Sequence, residues 1–221
     1  MKIVAVVPIK LNSQRLPNKN IKPFANGKPL CEYILSTLLK VDGLDEIYVY
    51  CSNPDIQKYL PNGVRYLRRS ENLDANETSI SDVLLSFAED IRADIYLMSH
   101  ATSPFVKNES MEKGLDAVKN GDYDSSFAAI RIQDFLWAEG KPMNYDLSNI
   151  PRTQDLQPIF KETSGFYIYE RNVITDMHRR IGNNPFIVEV GEIESVDIDE
   201  LEDFEIADAI FNQKFLKGKI C

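Results

Sequence analysis

Cysteine is scarce in this sequence. Its 221 residues hold only Cys31, Cys51 and Cys221, odd in number and never in C-x-x-C spacing. That argues against a disulfide framework or a thiolate zinc site and fits a reducing cytoplasm. Long hydrophobic runs are missing too: nothing approaches the roughly 20 apolar residues of a membrane span. The opening "MKIVAVVPIK" has too short an apolar stretch for a secretory leader. Both common glycine-rich phosphate loops, G-x-x-x-x-G-K-S/T and G-x-G-x-x-G, are absent. Acidic residues are lacking up to Glu32, although the chain carries a formal net charge of -9.

The charge is therefore polarised along the chain. The stretch Pro8 to Leu30 holds Lys10, Arg15, Lys19, Lys22 and Lys28. Glu192 to Asp208 holds nine acidic residues and no basic one, and the rest is neutral overall. Without a net basic face, a general nucleic-acid binder is disfavoured. A length of 221 residues suits one sizeable domain, 1–221, and no internal repeat, low-complexity tract or linker divides it.

Short apolar runs alternate with helical patterns. "KIVAVV", "EIYVYC", "GVRYL", "DIYLMS", "SSFAAIR", "GFYIYE" and "FIVEV" read as strands. "PLCEYILSTLLK", "ETSISDVLLSFAEDI", "NESMEKGLDAVKN", "RNVITDMHRR" and the segment after Asp199 read as helices, with "NPDIQKYL" a short one capped by Asn53. This rhythm predicts an α/β fold, a mostly parallel sheet with helices on both faces. Such sheets bind ligands beyond the carboxyl ends of their strands. The rhythm lapses over about 131–157, an irregular stretch containing Trp137, and it reads as either a partner-binding excursion or a flap.

The basic loop joins the first strand to the first helix, where α/β proteins place phosphates. A cation at contact distance is worth roughly 4 kcal/mol to a phosphate charge at an effective dielectric near 20. Two or three cations could thus hold a triphosphate; a solvated surface loop is the alternative. In "SVDIDELEDFEIA", a strand would turn Asp197 and Asp199 to one side. Paired carboxylates with substrate phosphates suit Mg²⁺, with Mn²⁺ as an alternative. Glu200, Glu202 and Asp203 read as first-turn acids of a helix whose apolar stripe is Phe204, Ala207, Phe211 and Phe215.

Five segments, in order, resemble the cytidylyltransferases that make CMP-activated acidic sugars, CMP-sialic acid synthetase and its relatives. They are "VVPIKLNSQRLPNKNIKPFANGKPL", "RRSENLDANETSISDVLL", "HATSPF", "RTQDLQPIFKETSGFYIY" and "VDIDELEDFEIA". The resemblance covers nearly the whole chain. It implies a Rossmann-like nucleotidyltransferase fold, a cytoplasmic enzyme, and CTP and an acidic sugar as substrates. It also implies a homodimer formed through the excursion, and neither nucleic acid nor membrane as partner.

Residue by residue, the resemblance makes Lys19 the lysine that contacts the triphosphate at the reacting phosphate, with Lys10 and Arg15 as further phosphate ligands. Asn20, Arg69 and Ser79 fall at cytidine positions. Asp197 and Asp199 match the metal aspartates, with Asp199 also counted in the catalytic group. His100, Arg152, Gln154 and Tyr167 fall near the acidic-sugar pocket, where Arg152 could hold the acceptor's carboxylate. The chain departs from the pattern at Lys10 (usually arginine), Leu11 and Asn12 (usually small), Asn76 (usually acidic), His100 (usually glutamine) and Ala101 (usually proline). The implied reaction is in-line attack of the sugar's anomeric hydroxyl on the α-phosphorus of CTP, releasing pyrophosphate. The acceptor is a 2-keto-3-deoxy acid of the sialic-acid type; KDO-, legionaminic- or pseudaminic-type sugars and phosphonates are alternatives. A silent nucleotide-binding homologue is the rival from another class.

Overall fold

The computed structural model describes residues 1–216, with side chains described through residue 213. The Phe215 side chain and Cys221 lie outside the described residues. In chain order the elements are β1 (Ile3–Pro8), α1 (Leu30–Leu38), β2 (Glu46–Cys51), β3 (Val64–Arg68), α2 (Ile80–Asp90), β4 (Ile95–Ser99) and α3 (Asn108–Lys119). There follow β5 (Ser125–Ile132), β6 (Trp137–Ala138), β7 (Lys141–Pro142), β8 (Ile159–Glu170), α4 (Arg171–Thr175), β9 (Pro185–Glu189) and α5 (Leu201–Leu216).

Seven strands form one sheet in the order β3-β2-β1-β4-β8-β5-β9. All neighbouring pairs are parallel except those of β8, which runs antiparallel to both β4 and β5. Strand alternation splits the core. Ile3, Ala5 and Val7 of β1 pack with Ile34, Leu35, Met111 and Leu115 of α1 and α3. Val4 and Val6 face Val83, Leu84 and Phe87 of α2, joined by Val173 and Ile174 of α4. Both faces of the sheet are thus covered, which is why β1 and β4 read as unbroken apolar runs.

A third cluster lies apart from these two. Phe204, Ala207 and Phe211 of α5 pack on Leu16 and Phe24 of the basic loop, with Phe105 and Ile198. Phe24 stacks on Phe204 at 4.5 Å between ring centroids. The Asp208 carboxylate accepts the Ala25 N–H at 2.9 Å. Burying a phenylalanine contributes about 1.5–3 kcal/mol, so this cluster fastens the chain's basic stretch to its acidic one.

Three expectations need correction. Asp197 and Asp199 lie outside any strand; Ile198 between them is fully buried, so the alternation persists without ladder pairing. The helix expected over "RNVITDMHRR" stops at Thr175, and His178 turns the chain with a positive φ of 54°. Within the irregular stretch, β6 and β7 form a small hairpin. Its two-residue turn, Glu139–Gly140, has φ of 50° and 75°, the signature of a type I′ turn.

Candidate active site

The β1–α1 connection carries the basic loop across the carboxyl edge of the sheet. Asn18 opens a short 3-10 turn, Lys19–Ile21, in the left-handed region, which asparagine tolerates better than most residues. That turn buries Lys19 and Asn20. The Asn20 amide donates to the Lys10 carbonyl at 2.7 Å and braces the loop. Lys19 Nζ donates to the Ile198 carbonyl at 2.7 Å and to Asp199 Oδ1 at 3.0 Å. Arg15 Nη2 meets the same oxygen at 2.8 Å. Burial pushes the Asp199 carboxyl up, but Lys19 and then Arg15 more than offset this and hold it below its usual value.

Asp203 has a further role beside its helix-dipole one. Its carboxylate accepts the N–H groups of Asp199 (2.9 Å) and Glu200 (2.8 Å), fixing the entry to α5. The Ile198 N–H donates to the Thr102 carbonyl at 2.9 Å, anchoring the segment to the loop after β4.

These elements enclose a cavity of about 360 Å³ lined by Pro8, Ser13, Lys19, Asn20, His100, Ala101, Thr102, Ser164, Asp197 and Asp199. Asp197 Oδ2 accepts from Ser164 Oγ at 2.7 Å. Its other oxygen, Oδ1, is buried with no hydrogen-bond partner among the described residues. An orphaned carboxylate oxygen beside a second carboxylate suits a divalent cation. Among the described residues no group of three or more His, Cys, Asp or Glu side chains is placed to hold a metal. The two aspartates would therefore need substrate oxygens or water to complete the shell, as Mg²⁺ sites commonly do.

His100 stands at the end of β4, where burial and then the charge of Arg180 pull its imidazole down to about 4, against Asp197 and Asp199. It is neutral at pH 7. Tyr167, on the adjacent β8, donates to Glu162 and to the Thr163 carbonyl at 2.9 Å. Burial, with the Glu162 bond, raises its phenol.

The other expected residues lie away from this cavity. Lys10 Nζ is bound to the carbonyls of Asp74 (2.7 Å) and Ala75 (3.2 Å). Arg69 is buried; its Nη2 donates to Ile9 O at 3.3 Å and meets Asp74 Oδ1 at 2.5 Å, while its Nε has no partner among the described residues. Asp74, not position 76, supplies the acid to Arg69. Ser79 caps α2 in a capping box with Asp82. Arg152 is exposed and spends its fork on Asp155 at 2.7 and 3.0 Å, and the backbone of Gln154 accepts from Gln133. Three residues not singled out from the sequence stand in this region: Ser164 lines the cavity, and Glu162 and Arg180 contact Tyr167. Glu162 was visible as a motif position; Arg180 carried no signal, sitting where a helix was expected.

The family model described as "Cytidylyltransferase" matches residues 4–217. The chain belongs to the cytidylyltransferase family. Among its relatives, an N-acylneuraminate cytidylyltransferase from Oncorhynchus mykiss is 30% identical over 78% of this chain and 42% of its own length. A CMP-N,N'-diacetyllegionaminic acid synthase from Legionella pneumophila is 30% identical over 76% of this chain and 78% of its own. This family member spans about half the length of several N-acylneuraminate cytidylyltransferases that it matches. Its fold is shared by a solved CMP:2-keto-3-deoxy-manno-octonic acid synthetase complexed with CTP, with a TM-score of 0.72, 19% identity, and 97% and 100% of the two chains covered.

Proposed function

We propose that the chain transfers CMP from CTP to the anomeric hydroxyl of an acidic 2-keto-3-deoxy sugar of the sialic-acid type, releasing pyrophosphate. The observation that carries this reading is the meeting of Lys19 with Asp197 and Asp199 at one cavity, with one Asp197 oxygen unpartnered among the described residues. Asp197 and Asp199 would hold a Mg²⁺ or Mn²⁺ ion, whose chemistry when bound is to offset charge at the phosphates. Lys19 would exchange Asp199 for an oxygen of the α-phosphate, and Arg15 and Lys10 would spread over the remaining phosphates. Their work is positioning and charge neutralisation; no covalent enzyme intermediate is needed. The sugar oxygen bonds to phosphorus as the bond to pyrophosphate breaks, and the hydroxyl proton passes to solvent. Asn20, Arg69 and Ser79 would serve the cytidine, and His100, Gln154, Arg152 and Tyr167 the sugar.

A legionaminic-type acceptor is the second reading, favoured by the Legionella pneumophila relative, which is matched over 78% of its length. We also propose a homodimer through the excursion, because Phe135, Trp137, Met143, Leu147 and Ile150 are all exposed there. Cys31 and Cys51, free and buried, fit work in a reducing cytoplasm. No helix among the described residues is long and apolar enough to cross a membrane.

The test is pyrophosphate release with CTP and Mg²⁺ against a panel of sialic, legionaminic, pseudaminic and KDO-type acids and a phosphonate, with ATP, GTP and UTP as controls. CTP-specific release with one acceptor supports the reading and names the acceptor. No release from any of them overturns it in favour of a silent homologue.

A further inference from the structure

We propose that Arg180 is the residue that takes the acceptor's carboxylate, an assignment that rests on the acidic-sugar reading above. Arg180 lies between α4 and β9. Its guanidinium covers the face of the Tyr167 ring, 3.8 Å from the centroid, and its Nη2 donates to Glu162 Oε1 at 2.8 Å. Tyr167 pairs across the sheet with Met98 of β4, and His100, two residues on and just past the end of β4, lines the cavity. The side chain is 26% exposed. An arginine stacked on an aromatic face and tied at one nitrogen keeps its plane fixed while its other donors stay available. Among the described residues every hydrogen bond of Arg180 comes from Nη2. Nε, Nη1 and a second Nη2 hydrogen remain, enough for a bidentate carboxylate beside Glu162.

The backbone that carries Arg180 is clamped two residues later. The Asn183 and Asn184 N–H groups donate to Asp124 Oδ2 at 2.6 and 3.0 Å, and the Gly182 N–H to Ser125 Oγ at 2.8 Å. This is a placed arginine. Arg152 differs on each count: its side chain is 72% exposed, and both edges of its contact go to a neighbour on its own turn. His100 stays neutral beside Arg180, so it can bond an acceptor hydroxyl without adding charge.

The experiment compares a turned-over acidic sugar with its carboxamide, the amide measured as a competitor, in the wild type, Arg180→Met, Arg180→Lys and Arg152→Met. Thermal unfolding comes first; if Arg180→Met does not fold, Arg180→Lys carries the test. The wild type should prefer acid to amide by about 10- to 100-fold, the scale of a charge-assisted contact. Arg180→Met should raise the acid's KM by about that factor, leave the KM for CTP within about twofold, and erase the preference. Arg180→Lys should retain part of it. A merely structural arginine would weaken acid and amide equally, and that result overturns the proposal. So does a preference lost in Arg152→Met but kept in Arg180→Met. A wild type that releases no pyrophosphate with any acidic sugar removes the broader reading and this one together, whereas an active wild type with an unmoved preference in Arg180→Met removes this one alone.

Discussion

Lys19 Nζ meets Asp199 Oδ1 at 3.0 Å and the Ile198 carbonyl at 2.7 Å, joining positions 180 and 179 residues apart in sequence. The contact closes the cavity between the basic loop and the acidic segment. Two substitutions separate its parts. Lys19→Ala should lower turnover by about 10²–10³, the usual loss for one placed donor at a reacting centre, and leave acceptor affinity nearly unchanged. Asp199→Asn should remove the response of the rate to added Mg²⁺ while the protein stays folded by circular dichroism. A Mg²⁺ titration that matches the wild type would end the metal assignment of Asp199.

Arg69 is among the largest fully buried side chains, and Asp74 is its one carboxylate partner among the described residues. Asp74 also accepts from Ser52 Oγ at 2.5 Å, so its side chain satisfies two buried donors. Asp74→Ala would leave a buried guanidinium unpaired and should cost about 3–5 kcal/mol. Asp74→Asn, which keeps an acceptor, should cost less. Urea unfolding at pH 7 reads both, and a loss under about 1 kcal/mol for Asp74→Ala would show that water takes over the aspartate's role.

The legible parts of this fold are those set by local pattern. Ile3 to Val7 of "KIVAVV" are buried on both faces, and their alternation does sort Ile3, Ala5 and Val7 from Val4 and Val6. Asp197 and Asp199 do line one cavity, but not as strand neighbours: alternation survives because Ile198 must be buried, not because a ladder holds the segment. The Glu139–Gly140 hairpin was missed because Glu-Gly is a weaker I′ signal than Asn-Gly or Asp-Gly. Arg180 escaped because its position depends on its own contacts with Glu162 and Tyr167 and on the Asn183 bond to Asp124, which only the folded sheet brings together.

His100 gives the molecule a pH dependence. Burial and Arg180 hold its imidazole at about 4, below the ordinary 6.5. The unfolded chain therefore binds a proton that the folded chain refuses between these values. Stability is unaffected by this group above about pH 6.5 and falls as pH drops toward 4, by up to roughly 3 kcal/mol. His100→Gln, which cannot take up a proton, should flatten that part of the slope. Urea midpoints at pH 7 and pH 4.5 test this: parallel losses in the two proteins would mean that His100 is solvated and titrates normally.

Trp137 is 54% exposed, and its indole Nε1 donates to Tyr145 Oη at 2.8 Å at the tip of the excursion. Aromatic anchors of this kind carry a large share of interface energy. In the homodimer proposed above, Trp137→Ala should raise the dissociation constant by about tenfold or more in sedimentation equilibrium. A variant that dimerises as tightly as the wild type would remove Trp137 from the interface.

Gly182 has no room for a side chain. A Cβ placed on it would lie 2.3 Å from the Asp124 carboxylate, which cannot swing away freely because it accepts from Asn183, Asn184 and Ser125. Burial tends to raise that carboxyl, but the Asn184 and Asn183 N–H groups and the Ser125 hydroxyl more than compensate and hold it low. Gly182→Ala should therefore cost about 1–3 kcal/mol, the usual range for overpacking. The clash is with one side chain, so the cost should depend on it. In a double-mutant cycle with Asp124→Ala, the second substitution removes both the obstacle and the clamp, and the combined loss should fall short of the sum of the two single losses by about 1 kcal/mol or more. Strict additivity would mean that the loop moves aside on its own, and that Asp124 does not fix the backbone carrying Arg180.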